Sequence, residues 1–463
     1  MKEFKRFLLV FVIIFGLVGL IACKGKKIEP KPELEVYDMS NVKFEDKSFD
    51  YDGKAKSITI TGTLPTGVTV SYEGNNKVDP GVHTVKANFK GADTHKPIPS
   101  MTAKLTIVDT TLPKYDMSGI TFEDLEVDWD GKAKSILISG ELPEGVTVSY
   151  EGNERVRVGT YEIKANFEGA DTHQPIPSMT ATLTIKETET SKLVDEIEVM
   201  LDTIFNLNAQ KMFRIEDEKL LFDYHFLAAY SLSVETGFGF GFDIDERVGD
   251  SELFPFFHDQ ISVTSLKQAM DVIQIGRAYN RSLPRGVGDY IVEVTNPESV
   301  YNYAPILNVL RETGGNDVLK VNVLDKIPTV VTDNADLDPD TAAAILAAST
   351  GYEFETTHIV ERIKLFATQD GILGFGDIAS STSTAQVMIG FLTAGISLDI
   401  VLEGGNVVNL YEVLKTFYDA ELGGFKNQLA QVDLDFNFAT PQAFAALACY
   451  RAHLITGEKV NLF

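Results

Sequence analysis

Cysteine is almost missing from this chain: Cys23 and Cys449 are the only two among 463 residues. With Cys23 in an N-terminal leader, Cys449 has no partner for a disulfide in the folded part, and a zinc site built on cysteines has too few ligands. Tryptophan is scarcer still. Trp129 stands alone, so residues 190–463 have no indole on which a sugar could stack. Basic residues are in deficit: 41 Lys+Arg face 67 Asp+Glu, a net charge of −26. The deficit is concentrated in residues 191–463, where 39 acids face 18 bases. Such a field repels nucleic acid and anionic lipid, and nucleic-acid binding is excluded on that ground. A hydrophobic fraction of 44% suits packed globular modules. About 440 residues beyond the leader correspond to two to four domains.

The leader has three parts. Lys2, Lys5 and Arg6 are cationic, Phe7 to Leu20 is an uncharged apolar run, and Leu20-Ile21-Ala22-Cys23 closes it. This order is that of a secretory signal, and the run is short of the roughly 20 apolar residues of a membrane-spanning helix. The closing tetrapeptide resembles the lipobox of bacterial lipoproteins. The resemblance implies cleavage between Ala22 and Cys23 and a diacylglyceryl group on the Cys23 thiol. Two acyl chains hold a protein far more firmly than one. The expectation is a signal peptide over 1–22, a lipidated polar tether over 23–35, and a location on the extracytoplasmic face of the cell membrane.

An internal repeat fills the next stretch. Tyr37-Asp38-Met39-Ser40 returns at Tyr115, Asp52-Gly53-Lys54-Ala55-Lys56-Ser57 at Asp130, and Gly91 to His95 at Gly169. The offset is 78 without a gap, and 49 of the 71 positions from 37 to 107 are identical. One fold must therefore serve both copies. Ser57–Thr61, Thr69–Tyr72, Val82–Phe89 and Met101–Ile107 alternate or carry β-branched residues, with Asp-Gly and Pro-x-Gly turns between them. About six short strands predict a small all-β unit, Ig-like or β-grasp, over 36–110 and again over 111–187. The pattern from Tyr51-Asp52-Gly53 through Met101-Thr102-Ala103 resembles the Ig-like, MBG-type (YDG) repeats of bacterial surface proteins, where such units act mostly as spacers. His95 beside Asp93 and His173 beside Asp171 raise the idea of a metal, but Thr-His-x-Pro is ordinary turn chemistry. Trp129, which replaces Tyr51, reads as a cover over a strand.

From Lys192 onward the apolar period is helical, as in Leu193, Ile197, Met200 and Ile204, or Leu220, Leu221, Tyr224, Leu227 and Ala228. Asn296-Pro297-Glu298, Asp338-Pro339-Asp340 and Thr440-Pro441-Gln442 share a helix-start signature of capping residue, proline, then acid or amide. Further starts fall near Glu218, Thr264 and Ser383, a spacing that suits about six helix pairs. Leu373-Gly374-Phe375-Gly376 before Thr384-Ala385-Gln386, and Gly423-Gly424-Phe425 before Thr440-Pro441-Gln442, look like the α/α-toroid repeats of terpenoid cyclases, protein prenyltransferases, thioester-containing complement domains and cobalamin carriers. The resemblance implies an all-α (α/α)6-like toroid over 190–463. The whole chain is thus expected to be a multidomain β plus α protein.

Each enzymatic relative makes a demand that the residues can be checked against. Class II cyclases use Asp-x-Asp-Asp; Asp336-Leu337-Asp338-Pro339-Asp340 departs from it, and Asp338 is equally well an N-cap. Prenyltransferases hold zinc with Asp, Cys and His, whereas Cys449 lies in an apolar helix with only His453 nearby. Cys-Gly-Glu-Gln, the thioester motif, is absent. Gly237 to Phe242 (GFGFGF) lacks a preceding strand and reads as a turn whose phenylalanines pack or line a ligand mouth. Were the module an enzyme, a lyase, glycosidase or cyclase-like protein, its acids would be Asp336, Asp338, Asp433 or Asp435. The acidic loops carrying Asp243, Asp245 and Asp250 leave calcium open as a ligand; no other cofactor is implied. Expected partners are the membrane, through the lipid, and a small molecule, glycan or protein. A cavity lined by paired carboxylates would mark an enzyme, an apolar or aromatic cavity a binding protein, and a filled centre a structural envelope protein.

Overall fold

The computed structural model describes residues 36–463, apart from 93–94, 217–218, 242–268, 271, 274–275, 277–298, 315–316, 335–336 and 463, and apart from the side chains of 214–222 and 313. The chain combines β-sheets with helices, a mixed β and α organisation. It forms two compact units. One takes residues up to Phe122 with Leu137–Glu151 and Lys164–Thr180; the other takes Glu123–Ile136, Gly152–Ile163 and everything from Ala181. The expected boundaries at 110 and 187 follow the sequence repeat, whereas this division runs through the second copy.

Each repeat builds a four-stranded sheet. The first contains β1 (Lys47–Asp50), β2 (Thr69–Glu73), β3 (Gly81–Lys90) and β4 (Met101–Val108) in the order β1-β4-β3-β2. The second contains β5 (Leu125–Asp128), β6 (Thr147–Glu151), β7 (Gly159–Glu168) and β8 (Met179–Lys186) in the order β5-β8-β7-β6. Register repeats with the sequence: Lys47 lies opposite Leu105 and Leu125 opposite Leu183 in parallel pairs, Val70 opposite Phe89 and Val148 opposite Phe167 in antiparallel ones. Along β4, Ala103, Leu105 and Ile107 are buried while their neighbours are less so, the period of two that a one-sided sheet requires.

The expected strand at Ser57–Thr61 forms no ladder. Lys56 and Thr61 make isolated bridges to Lys77 and Lys43. Between them the backbone is held by side chains: Asn75 receives the Ile58 N–H (3.0 Å) and donates to the Ile58 carbonyl (2.6 Å), while the Tyr72 hydroxyl accepts the Ile60 N–H. Asn153 serves Ile136 in the same way, at 2.8 and 2.7 Å. Side-chain amides therefore do what a neighbouring strand would do, which alternation alone does not reveal.

The second unit continues with α1 (Glu189–Met212), the hairpin β9 (Phe213–Glu216) and β10 (Lys219–Phe222), and α2 (Tyr224–Glu235). Leu220 and Leu221, expected on a helix, lie on β10; the helix starts only where Asp223 caps it through the N–H groups of His225 and Phe226. Then follow α3 (Tyr303–Thr313), α4 (Asp317–Asp333), α5 (Pro339–Ser349), α6 (Thr357–Lys364), α7 (Ser381–Ala394), α8 (Leu410–Lys415) and α9 (Ala439–Thr456). Two-stranded hairpins precede the last helices: β11 (Ala367–Thr368) with β12 (Gly371–Ile372), β13 (Asp399–Val401) with β14 (Val407–Asn409), and β15 (Tyr418–Asp419) with β16 (Gly424–Phe425). The start expected at Asn296 and those near Glu218 and Thr264 lie outside the described residues.

Helix packing runs mainly between alternate helices. α5 packs on α3, α6 and α7; α9 packs on α7, on α2 and on α1. The helices α5, α7 and α9 are buried almost all round, and small residues make that compatible with close approach. A Cβ on Gly390 of α7 would lie 2.8 Å from the Ala343 carbonyl of α5. Two hairpin-helix segments share one hydrogen-bond plan. Thr384 Oγ1 accepts the Ile372 N–H (3.1 Å) and Thr440 Oγ1 accepts the Phe425 N–H (2.9 Å). Ser380 N donates to Ile372 O and Asp435 N to Phe425 O. Gly424-Phe425 thus corresponds to Gly371-Ile372, not to Gly374-Phe375, and Phe375 is fully exposed. Thr440 is likewise not a cap: α9 begins at Ala439, and the threonine hydroxyl is occupied by the hairpin backbone.

Arg451 and Glu198 pin this packing. Arg451, 3% exposed, reaches Glu198 Oε1 from Nε and from its second terminal nitrogen, both at 2.8 Å, and donates to Thr236 Oγ1 at 2.8 Å. Its guanidinium also covers the Phe238 ring. Phe238 and Phe240 pack among Phe205, Tyr230 and Phe444, which assigns those two phenylalanines of the glycine-phenylalanine run to the core. No helix among the described residues is long and apolar enough to cross a membrane.

Candidate functional site

The first turns of α2, α3, α5 and α9 and the second turn of α7 line one cavity of about 450 Å³. α2 contributes Tyr224 and His225, α3 contributes Ala304, Pro305 and Asn308, and α5 contributes Asp340, Thr341, Ala344 and Ala347. Gln386 comes from α7 and Gln442 from α9, with Tyr301 at the edge. Gln386 and Gln442 follow Thr384 and Thr440 by two residues each, so the shared hairpin-helix plan delivers two equivalent amides to one wall. Caps hold the walls in place. Asp338 receives the Thr341 N–H and Oγ1 hydrogen bonds, both at 2.8 Å, which fixes the first turn of α5 and hence Asp340.

The polar lining is short of partners. Asn308 Oδ1, Asp340 Oδ1 and Gln442 Oε1 are enclosed and have no hydrogen-bond partner among the described residues. An enclosed polar atom left unpaired costs about 1–3 kcal/mol, and three in one lining are unusual for a cavity that serves packing alone. Burial pushes the Asp340 carboxyl up to about 6, with a Ser383 hydrogen bond opposing and the charge of Asp338 adding to the rise. Asp223 moves the other way. Burial raises it, but His225 and the Phe226 N–H outweigh that and hold its carboxyl below the usual range. The Asp223 carboxylate lies 3.5 Å from His225 Nδ1 in the cavity wall.

A second cavity, about 560 Å³, lies where α3, α5 and α7 end, lined by Arg311, Lys320, Thr350, Tyr352, Thr393 and Lys459 among others. Two of its three cations are engaged with the fold. Arg311 bonds Thr350 O at 3.2 Å and also Ala348 O, and Lys320 pairs with Asp317.

Of the acids proposed from sequence, Asp338 is the α5 cap. Asp435 accepts the N–H groups of Asn437 and Phe438 at 2.8 and 3.0 Å ahead of α9, and Asp433 is solvent-exposed. None of these three lines the main cavity. Asp336, the calcium candidates Asp243, Asp245 and Asp250, and the leader residues Ala22 and Cys23 lie outside the described residues. Cys449 is fully buried and burial pushes its thiol up, so it stays protonated. His453 Nδ1 meets the Glu458 carbonyl. No cluster of three His, Cys, Asp or Glu side chains with metal-site geometry occurs among the described residues. The repeat histidines stack on tyrosines instead, His95 on Tyr37 at 4.0 Å and His173 on Tyr115 at 4.2 Å.

Asp340 and Gln442, the third members of two helix-start signatures, are brought together, and Gln386 joins them from the toroid-like pattern. Asn308 and His225 carry no sequence signal, since neither sits in a recognisable motif.

No family model matches the sequence, and no curated protein matches it. Among solved structures, Drosophila OTK, extracellular domains 3–5, is 13% identical over 32% of this chain and 62% of that one, with a TM-score of 0.11. The chain therefore spans less than two-thirds of that structure, and a likeness of this size carries no functional argument.

Proposed function

We propose that the chain is an exported lipoprotein, fastened to the extracytoplasmic face of a membrane through Cys23, whose helical unit recognises a small molecule. In this reading the two β repeats are spacers of the MBG-like kind. The helical unit is an (α/α)6-like toroid whose inner helices are α2, α3, α5, α7 and α9. Support for the toroid comes from α9, the last helix, which packs on α2, the first inner one, as a closing ring requires. Support for recognition rests on one observation: enclosed acceptors on Asn308, Asp340 and Gln442 surround one cavity at the helix N-termini. Its size falls within the range of small-molecule pockets.

Catalysis is the second reading, and its support is Asp340, whose raised pKa suits proton transfer near neutrality. No second carboxylate lines the cavity among the described residues, so a paired-acid mechanism lacks its partner. The cavity itself argues against a purely structural role, which calls for a filled centre.

Two measurements test the proposal. Mass spectrometry of the purified product reports acylation of Cys23, which Cys23→Ser abolishes; a native product without acyl groups refutes the anchor. Melting of the full chain in detergent, screened against neutral, cationic and anionic small molecules, reports recognition. A ligand raises the midpoint in the native protein and not in Ala344→Phe, which fills the cavity.

A further inference from the structure

Building on the recognition reading, we infer that the cavity formed by Asn308, Asp340, Gln386 and Gln442 takes a neutral polyhydroxylated molecule, a sugar or cyclic polyol of one or two rings. Three features of the lining select that chemistry. Four helices, α2, α3, α5 and α9, present first-turn residues to the cavity, and the partial positive charge there disfavours a cation. Asp340 disfavours an anion once its carboxyl is ionised. The remaining polar groups are mainly side-chain amides, each of which carries a donor and an acceptor on one small plane. A hydroxyl can donate to the unpaired oxygens of Asn308, Asp340 and Gln442, whereas a carboxylate only accepts.

The rest of the wall suits the same ligand. Ala304, Ala344 and Ala347 leave room without adding polar atoms, and Tyr224 and Tyr301 offer aromatic surface for C–H faces where no tryptophan exists. Asn308 is 7% and Gln386 8% exposed, so both amides are held within the structure and not spread over its surface. Thr341 lines the cavity too, but its hydroxyl donates to Asp338, which ties it to the cap. The recognising atoms are thus those of Asn308, Gln386, Gln442 and Asp340.

The test is isothermal titration of the full chain in detergent micelles with glucose, N-acetylglucosamine, myo-inositol and maltose, beside 1,4-diaminobutane as cation and succinate as anion. At least one polyol binds, and its affinity falls about 10-fold or more in Asn308→Leu and Gln442→Leu. If the diamine or succinate binds instead and the amide variants abolish that, the ligand class is wrong while the recognition reading stands. If no probe binds, the inference fails, and the melting of Asn308→Leu decides about the reading beneath it. Amides kept for a ligand hold stability below its optimum, so the leucine variant then melts higher. A lower melting point makes the amides structural and removes the recognition reading as well.

Discussion

Replacing Asp340 by asparagine stabilises the protein at alkaline pH and does so progressively less as the medium is acidified. The carboxyl loses its proton near 3.8 in the unfolded chain and near 6 in the folded one, because the cavity wall desolvates its charge and Asp338 lies close. Between those values the native state holds more protons than the unfolded state, so stability falls as pH rises. The contribution is fully present below the unfolded value and is lost as pH climbs through 6. A gap of that size, at 1.36 kcal/mol per unit, amounts to about 3 kcal/mol at pH 8 and about 1 kcal/mol at pH 4.5. It is an upper bound, since one edge of the residue meets solvent. Asparagine has the same shape and never ionises, so the variant escapes the penalty. Urea unfolding followed by helical circular dichroism at several pH values reads the effect. A wild-type minus variant difference that does not change with pH, or that favours wild type as pH rises, refutes the assignment of a raised carboxyl to this wall.

Arg451→Met leaves the enclosed Glu198 with only the exposed Arg157, at 3.5 Å, as counter-charge, and stability drops by about 3 kcal/mol; thermal melting shows the loss, and Glu198→Leu in the same chain recovers much of it. Gly390→Ala sets a methyl 2.8 Å from the Ala343 carbonyl. Overpacking there costs about 1–3 kcal/mol and exceeds the roughly 1 kcal/mol helix gain, so the midpoint falls where an exposed helix site would show it rising. Asn75→Ala and Asn153→Ala each remove one amide that holds an unladdered strand on both sides. Native-state hydrogen exchange at Ile58 and Ile136 accelerates in the respective variant, and a variant with unchanged exchange contradicts the assigned role.

The repeat was the most legible part of the sequence. A gapless offset of 78 requires both copies to share strands and register, and they do, down to the amides of Asn75 and Asn153. What alternation could not reveal was that Ser57–Thr61 has no backbone ladder, because a side-chain amide satisfies the same groups as a strand. In the helical unit the cap at Asp338 was readable, since Pro339 and Asp340 after it leave little else for the carboxylate to do. Leu220 and Leu221 deceived the helical period, because a short hairpin can present the same apolar residues and Asp223 sets the true start. The glycine-phenylalanine pattern aligned the two segments in another register than their hydrogen bonds do: what they share is a threonine hydroxyl under a strand N–H, and Gly371-Ile372 satisfies it without any aromatic residue. The cavity was only half visible. Asp340 and Gln442 stand in a signature, but Asn308 and His225 reach the site through tertiary packing that no local pattern encodes.

One signature accounts for both the architecture and the chemistry of the helical unit. Helices that pack side by side need small residues along their length, and Ala342, Ala343, Ala385, Gly390, Ala443 and Ala445 supply them. Such a helix is nearly all buried, so it has few places to carry a polar group without cost. The first turn is one of them, because its backbone N–H groups need acceptors and the caps that provide them also fix the side chains that follow. Asp340, Gln386 and Gln442 sit near those starts and line one cavity. Packing that brings the starts of several such helices together brings their polar residues together as well. Varying those few positions changes what the cavity holds while the caps, the small residues and the threonine-hairpin bonds keep the helices in place.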